Sequence, residues 1–136
     1  MSAKAIVCVD DEALQLLALK RELRLELRGR YIVETALDAD QALSLMDELE
    51  QDGVEVALLI TDWLMPRVKG DELIRLARES RPRLQAILIT GQIDDEARKR
   101  CAASGGILGI LDKPWRKAEL LEAIGRSEGD WAERSS

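Results

Sequence analysis

The chain has 136 residues, enough for one domain of ordinary size with a single core and too few for two. It is 46% hydrophobic and 34% charged, which excludes the disordered and fibrous classes, and with no Phe it must fill its core with Leu, Ile, Val and Ala. The formal net charge of −6 argues against a surface that binds nucleic acid directly, and no apolar run reaches the roughly 20 residues needed to cross a bilayer.

Taken from the N-terminus, Ala5 to Val9 is an apolar run of strand length. Met1 to Lys4 runs straight into it without the pattern of a secretory signal, so a soluble, cytoplasmic protein with no membrane partner is expected. Asp10 and Asp11 follow, and then Leu16, Leu19, Leu23 and Leu27 share one helical face, with Gly29 where that helix should stop. Tyr31 to Ala36 reads as the second strand. Asp38, with Gln41 three residues later, has the spacing of a capping box and opens a helix carrying Ala39, Leu43, Met46 and Leu49.

The third strand, Val56 to Thr61, leads directly into Asp62 and then Trp63, Leu64, Met65 and Pro66. Leu73, Ile74 and Ala77 mark a third helix, Gln85 to Thr90 a fourth strand, and Ile93, Ala97 and Cys101 a fourth helix. Ile107 to Leu111 is the fifth strand, followed by Lys113, and Leu120, Leu121 and Ile124 define the last helix. The segment from Ser127 to Ser136 is polar apart from Trp131 and Ala132 and is expected to fray or dock weakly. Cys8 and Cys101 lack metal-ligand spacing, there is no His, and both are expected as reduced, buried thiols.

Strict alternation of five strands with five helices favours a doubly wound α/β domain, a parallel sheet covered on both faces. Ligands of such sheets sit outside the carboxyl ends of the strands. Asp10, Asp11, Asp62, Thr90 and Lys113 all fall there. Singly, each has an ordinary reading: the aspartates cap a helix or make a turn, Thr90 is a strand residue, and Lys113 is a surface lysine. Together, at four strand ends, they read as a site. Three converging carboxylates repel each other and need raised pKa values or a cation, and an all-oxygen set points to Mg²⁺. Asp62 is then the nucleophile, Mg²⁺ and Lys113 stabilise charge, and Thr90 donates a hydroxyl to phosphoryl oxygens.

The segments IVCVDDE, LLITDWLMP, ILITG and LDKPW resemble, in order and spacing, the motifs of response-regulator receiver domains of two-component signalling, such as the chemotaxis response regulator. The resemblance covers about the first 125 residues and implies a flavodoxin-like sheet of order 2-1-3-4-5, with residues 1–126 as receiver domain and 127–136 as tail. It implies Asp10 and Asp11 as the acidic pair for Mg²⁺, with Asp11 the direct ligand. It also implies Asp62 as phosphoacceptor, the Leu64 backbone carbonyl as a further metal ligand, Thr90 as switch hydroxyl, and Lys113 as the lysine contacting phosphate, before a cis Pro114. The sequence departs from the pattern at Ile110, where many receivers carry an aromatic ring that swings inward on activation.

The implied function is a switch. A histidine kinase or histidine phosphotransfer protein donates phosphate to Asp62, and partner preference changes toward a downstream protein or a fused output domain. Such a domain catalyses only its own phosphorylation and dephosphorylation. The alternative is a pseudo-receiver that keeps the fold and binds a partner without phosphorylation. A hydrolase of the aspartate-nucleophile class is disfavoured because such enzymes generally need a second Asp two residues after the nucleophile, where this chain has Leu64. Arg98, Lys99 and Arg100 are read as a solvated helix face, and Trp115 and Trp131 as packing for the last helix and tail.

Overall fold

A computed structural model describes residues 3–103 and 105–135, and of residues 129–135 only the backbone. Strands and helices alternate: β1 (Lys4–Val9), α1 (Ala13–Leu27), β2 (Ile32–Ala36), α2 (Ala39–Gln51), β3 (Glu55–Asp62), α3 (Gly70–Ser80), β4 (Gln85–Thr90), α4 (Asp95–Ala103), β5 (Ile107–Asp112) and α5 (Lys117–Ser135). The five strands form one parallel sheet in the order β2-β1-β3-β4-β5. This is the doubly wound, flavodoxin-like arrangement expected.

The pleat sends alternate residues of each strand to opposite faces, and two cores result. Val7, Val9, Leu59 and Leu88 pack under α2, α3 and α4 with Met46, Leu73, Ile74 and Ala97. Ile6, Cys8, Leu58, Ile60, Ile87 and Ile89 pack under α1 and α5 with Leu16, Leu19, Leu23, Leu27, Leu120 and Ile124. Burial on both faces explains why the central strands are nearly continuous apolar runs. Each fully buried Leu or Ile is worth about 1.5–3 kcal/mol, so the sheet is held mainly from its faces.

Local signals end the helices near the expected places. Asp38 Oδ1 accepts from Gln41 N at 2.8 Å, and Gln41 Oε1 accepts from Leu37 N at 3.1 Å, so the box closes on the residue before the cap. At the end of α1 the chain turns left-handed at Arg28 (φ 48°) one residue before Gly29 (φ 81°). On α2, Ala42 and Met46 are fully buried while Leu43 and Leu49 are half-buried, so the buried stripe is rotated from the one expected. Ile93 packs against the core from the loop before α4 rather than from the helix itself.

Helix α5 runs to Ser135, so the polar segment from 127 onward continues it; the Trp131 side chain lies outside the described residues. Cys8 and Cys101 are free and buried, and burial pushes the Cys8 thiol up to about 12. Among the described residues, no helix is long and apolar enough to cross a membrane.

Candidate functional site

The parallel register aligns the strand ends that carry the candidate residues. Val9 pairs with Thr61, Asp62 with Ile89, and Thr90 with Asp112. Asp10, Asp62, Thr90 and Lys113 are thereby delivered to one edge by backbone geometry. Two further main-chain bonds lock this edge: Trp63 N donates to Ile89 O at 3.0 Å, and Lys113 N donates to Thr90 O at 2.9 Å. The Lys113–Pro114 peptide bond is cis.

Lys113 Nζ bridges Asp10 Oδ2 at 2.9 Å and Asp62 Oδ2 at 3.1 Å. All three side chains are largely buried. The second oxygen of Asp10 accepts from Glu12 N at 2.9 Å, and that of Asp62 from Leu64 N at 3.3 Å. Asp11 is exposed, and carboxylate oxygens of Asp10, Asp11 and Asp62 lie within 4.8 Å of one another. Thr90 is buried, and its Oγ1 accepts from Gln92 N at 3.1 Å, which leaves the hydroxyl proton available to a further acceptor.

These contacts set the electrostatics. Burial raises the Asp62 carboxyl above its ordinary value; the Lys113 hydrogen bond opposes this and the Asp10 charge adds to it. Burial alone would lower the Lys113 ammonium, but hydrogen bonds to Asp10 and Asp62 and their charges carry it above its usual range. One ammonium against three carboxylates leaves an excess of negative charge at the edge. With oxygen as the sole donor type, the cluster fits a hard divalent cation such as Mg²⁺ and suits neither zinc nor copper. Both oxygens of Asp10 already accept a hydrogen bond from the protein, whereas no protein donor is seen on Asp11 among the described residues, so Asp11 is the better placed to give an oxygen to a cation.

The open cleft over this cluster is lined by Glu12, Leu64, Met65, Pro66, Gly91 and Gln92 in addition to Asp11, Asp62 and Lys113. Asp10, Asp11, Asp62 and Lys113 thus meet at one point and Leu64 lines the rim, while Thr90 adjoins them through its backbone bond to Lys113 N and its hydroxyl bond to Gln92 N. Sequence reasoning missed Glu12 and Gln92, whose only signal was proximity to Asp11 and Thr90. It also missed Gly70. A Cβ there would collide with the Asp62 carbonyl oxygen and approach Trp63 Cα and Leu88 Cδ2 to 2.9 Å, so glycine is what lets α3 start against the acceptor strand. Ile110 is half-buried against the α2–α3–α4 core.

Comparison with known proteins agrees with this geometry. The profile of the response regulator receiver domain matches residues 6–125. Response regulator RppA of Synechocystis is 34% identical over 88% of this chain and 48% of its own length. The phosphate regulon transcriptional regulatory protein PhoB of Rhizobium meliloti is 35% identical over 91% of this chain and 51% of its own. The chain thus spans about half the length of these relatives, and 12% of the sensor kinase CckA of Brucella abortus. Among solved structures, a receiver domain protein of Methanospirillum hungatei superposes with a TM-score of 0.78 at 29% identity, covering 99% of this chain and 100% of that one. The signal receiver domain of an HD domain-containing protein from Pseudomonas fluorescens gives a TM-score of 0.81 at 28% identity, covering 98% and 99%.

Proposed function

Since the chain belongs to the response regulator receiver domain family of two-component signalling, we propose that it accepts a phosphoryl group on Asp62 in a Mg²⁺-dependent reaction and changes partner preference as a result. The observation that carries this reading is the Lys113 ammonium held between Asp10 and Asp62 on the floor of an open acidic cleft. In the transfer an Asp62 carboxylate oxygen forms the new bond to phosphorus while the bond from phosphorus to a donor histidine nitrogen breaks, and the imidazole leaves neutral after protonation. Lys113 already contacts Asp62 and stabilises the added charge, and Thr90 donates its hydroxyl to a phosphoryl oxygen. Asp10, Asp11, Asp62 and the Leu64 carbonyl would hold Mg²⁺, which offsets the mutual repulsion of carboxylates and phosphoryl oxygens when bound.

A histidine kinase or histidine phosphotransfer protein supplies the phosphoryl group in this reading. The readout is a downstream protein or an output domain, in a cytoplasmic setting. Residues 1–126 make up the receiver, with 127–136 as an appendage. The domain acts on itself alone and has no substrate of its own to turn over.

The test is incubation with Mg²⁺ and acetyl phosphate, followed by intact mass and peptide mapping. One phosphoryl adduct is expected on Asp62, absent in Asp62→Asn and in chelator. Labelling elsewhere, or in chelator, refutes the assignment; no adduct at all leaves the fold serving as an unphosphorylated interaction module.

A further inference from the structure

Lys113 reaches the cleft from the edge of the sheet. It follows β5, which lies two strands from β3 and three from β1, about 10 Å and 14 Å away at the usual strand spacing. A lysine's four-carbon stem has little slack over that width, yet its Nζ meets both Asp62 Oδ2 and Asp10 Oδ2. The bridge therefore depends on where the loop between β5 and α5 holds the root of the side chain. The bond from Lys113 N to Thr90 O fixes that root from the β4 side only.

The second hold comes from α1. Of the three residues between Lys113 and α5, Pro114 and Arg116 are exposed, whereas Trp115 packs against the core shared by α1 and α5. Its Nε1 donates to Glu22 Oε1 at 3.0 Å, across 93 positions of sequence. Both partners are half-buried, and a carboxylate acceptor makes the bond stronger than one between neutral groups. Glu22 stands between Leu19 and Leu23, two of the buried leucines of α1, so the acceptor sits on a well-anchored stretch of helix. The neighbouring tie, Lys117 to Glu26 at 3.1 Å, has its lysine in water and is screened. An apolar residue at 115 would fill the same space, but an indole with a bonded edge fixes the loop's rotation as well as its position.

We propose that Trp115 is the positioning residue of Lys113, and that Glu22 of α1, through its hydrogen bond to the indole, sets the loop so that the ammonium bridges Asp10 and Asp62. The consequence for phosphoryl transfer rests on Asp62 being the acceptor; the hold on the ammonium does not.

The experiment uses the full chain with Trp115→Phe, which keeps a ring and loses the donor, Glu22→Ala, which loses the acceptor, and Glu22→Gln, which keeps an amide oxygen to accept. Brief treatment with acetic anhydride in chelator, followed by peptide mapping, reads how freely the Lys113 amine reacts. Labelling of Asp62 by acetyl phosphate with Mg²⁺ reads the chemistry. Trp115→Phe and Glu22→Ala are expected to raise acetylation of Lys113 several-fold and to slow labelling about three-fold to ten-fold, while Glu22→Gln stays near the parent. On a Lys113→Ala background Trp115→Phe should slow labelling no further, because a residue that acts through Lys113 has nothing left to place. Leu27→Val, which thins the same core at the end of α1 away from the cleft, should leave both readouts unchanged. The proposal is overturned by unchanged acetylation of Lys113 in Trp115→Phe, or by failure of Glu22→Gln to keep the parent's values. Further slowing on the Lys113→Ala background, or equal effects from Leu27→Val, overturns it too and leaves Trp115 as packing alone. Failure of the parent chain to label would sink the acceptor reading, while acetylation of Lys113 still judges the hold on the ammonium.

Discussion

Replacing Gly70 by Ala tests whether α3 positions the phosphoacceptor strand. Gly70 N donates to Trp63 O at 2.8 Å, so the first turn of α3 is bonded to the residue after Asp62. The new methyl would meet the Asp62 carbonyl and sit 2.9 Å from Trp63 Cα and Leu88 Cδ2. Two of the three obstacles are backbone, which cannot rotate away, so either α3 or the end of β3 must move. Overpacking of this kind costs about 1–3 kcal/mol, and the better helix propensity of Ala returns at most about 1. We expect Gly70→Ala to lose about 1–3 kcal/mol in urea unfolding and to slow labelling of Asp62 by acetyl phosphate. Gly125→Ala is the internal control: it lies exposed in α5 with nothing within 4 Å of the new methyl, and it should gain up to about 1 kcal/mol. Equal stabilities for Gly70→Ala and the parent would show that α3 does not clamp the acceptor strand.

Because the folded state raises the Asp62 pKa, mainly through burial, folded protein holds that proton more tightly than unfolded chain does. Stability from this group is therefore greatest below the unfolded value of about 3.9 and falls as pH rises through the folded value. Asp62→Asn should accordingly melt higher than the parent at pH 7 in chelator and lose that advantage below about pH 4; a lower melting temperature at pH 7 would contradict the sign. Lys113→Ala removes the only ammonium seen on the cluster among the described residues, so Mg²⁺ should bind more tightly, by Trp63 fluorescence, while labelling slows by about ten-fold or more. Thr90→Ala should leave labelling intact but remove a hydrogen bond to charged oxygen worth about 1.5–3 kcal/mol. Its readout is a smaller change in hydrogen exchange across 90–103 on adding beryllofluoride, and an undiminished change would discount Thr90 as the coupling residue.

The strand ends were legible because one physical rule places them: apolar runs of strand length in a parallel sheet must end together, and Asp10, Asp62, Thr90 and Lys113 directly end or follow such runs. The α1 core was legible because Leu16, Leu19, Leu23 and Leu27 sit at strict helical spacing and all four are buried. Helix α2 was read less well, since Leu43 and Ala42 compete for one face and tertiary packing chose the smaller. Gly70 was invisible for a different reason. Its requirement is set by Asp62, Trp63 and Leu88, which approach it only in three dimensions. The same holds for Arg81, a buried guanidinium that ties α3 to α2 by ion pairs with Asp47 and Glu50 at 2.5 Å each. Periodicity reports which face is inside, but it carries no information about which polar group crosses between elements.

The structure also bears on where a change at the cleft would travel. Among the described residues, α4 buries only Ala97 and Cys101, whereas α1 buries four leucines. At about 0.8 kcal/mol per buried methylene, two small side chains anchor a helix far less firmly than four large ones. Ion pairs add to these contacts, Arg98 with Asp112 at 3.2 Å and Arg100 with Asp71 at 3.6 Å. Exposed pairs of this kind contribute about 0–1 kcal/mol each. One of them, on Asp112, adjoins Lys113, and the loop that enters α4 starts at Thr90, so both ends of the connection lie at the proposed phosphoryl site. In the proposed reaction Thr90 would gain a hydrogen bond to charged oxygen worth about 1.5–3 kcal/mol, more than an exposed ion pair contributes. With Ile110 offering no ring to swing inward, the weakly anchored α4, rather than a rotamer change on β5, is the element that a phosphoryl group on Asp62, as proposed, would be best able to shift.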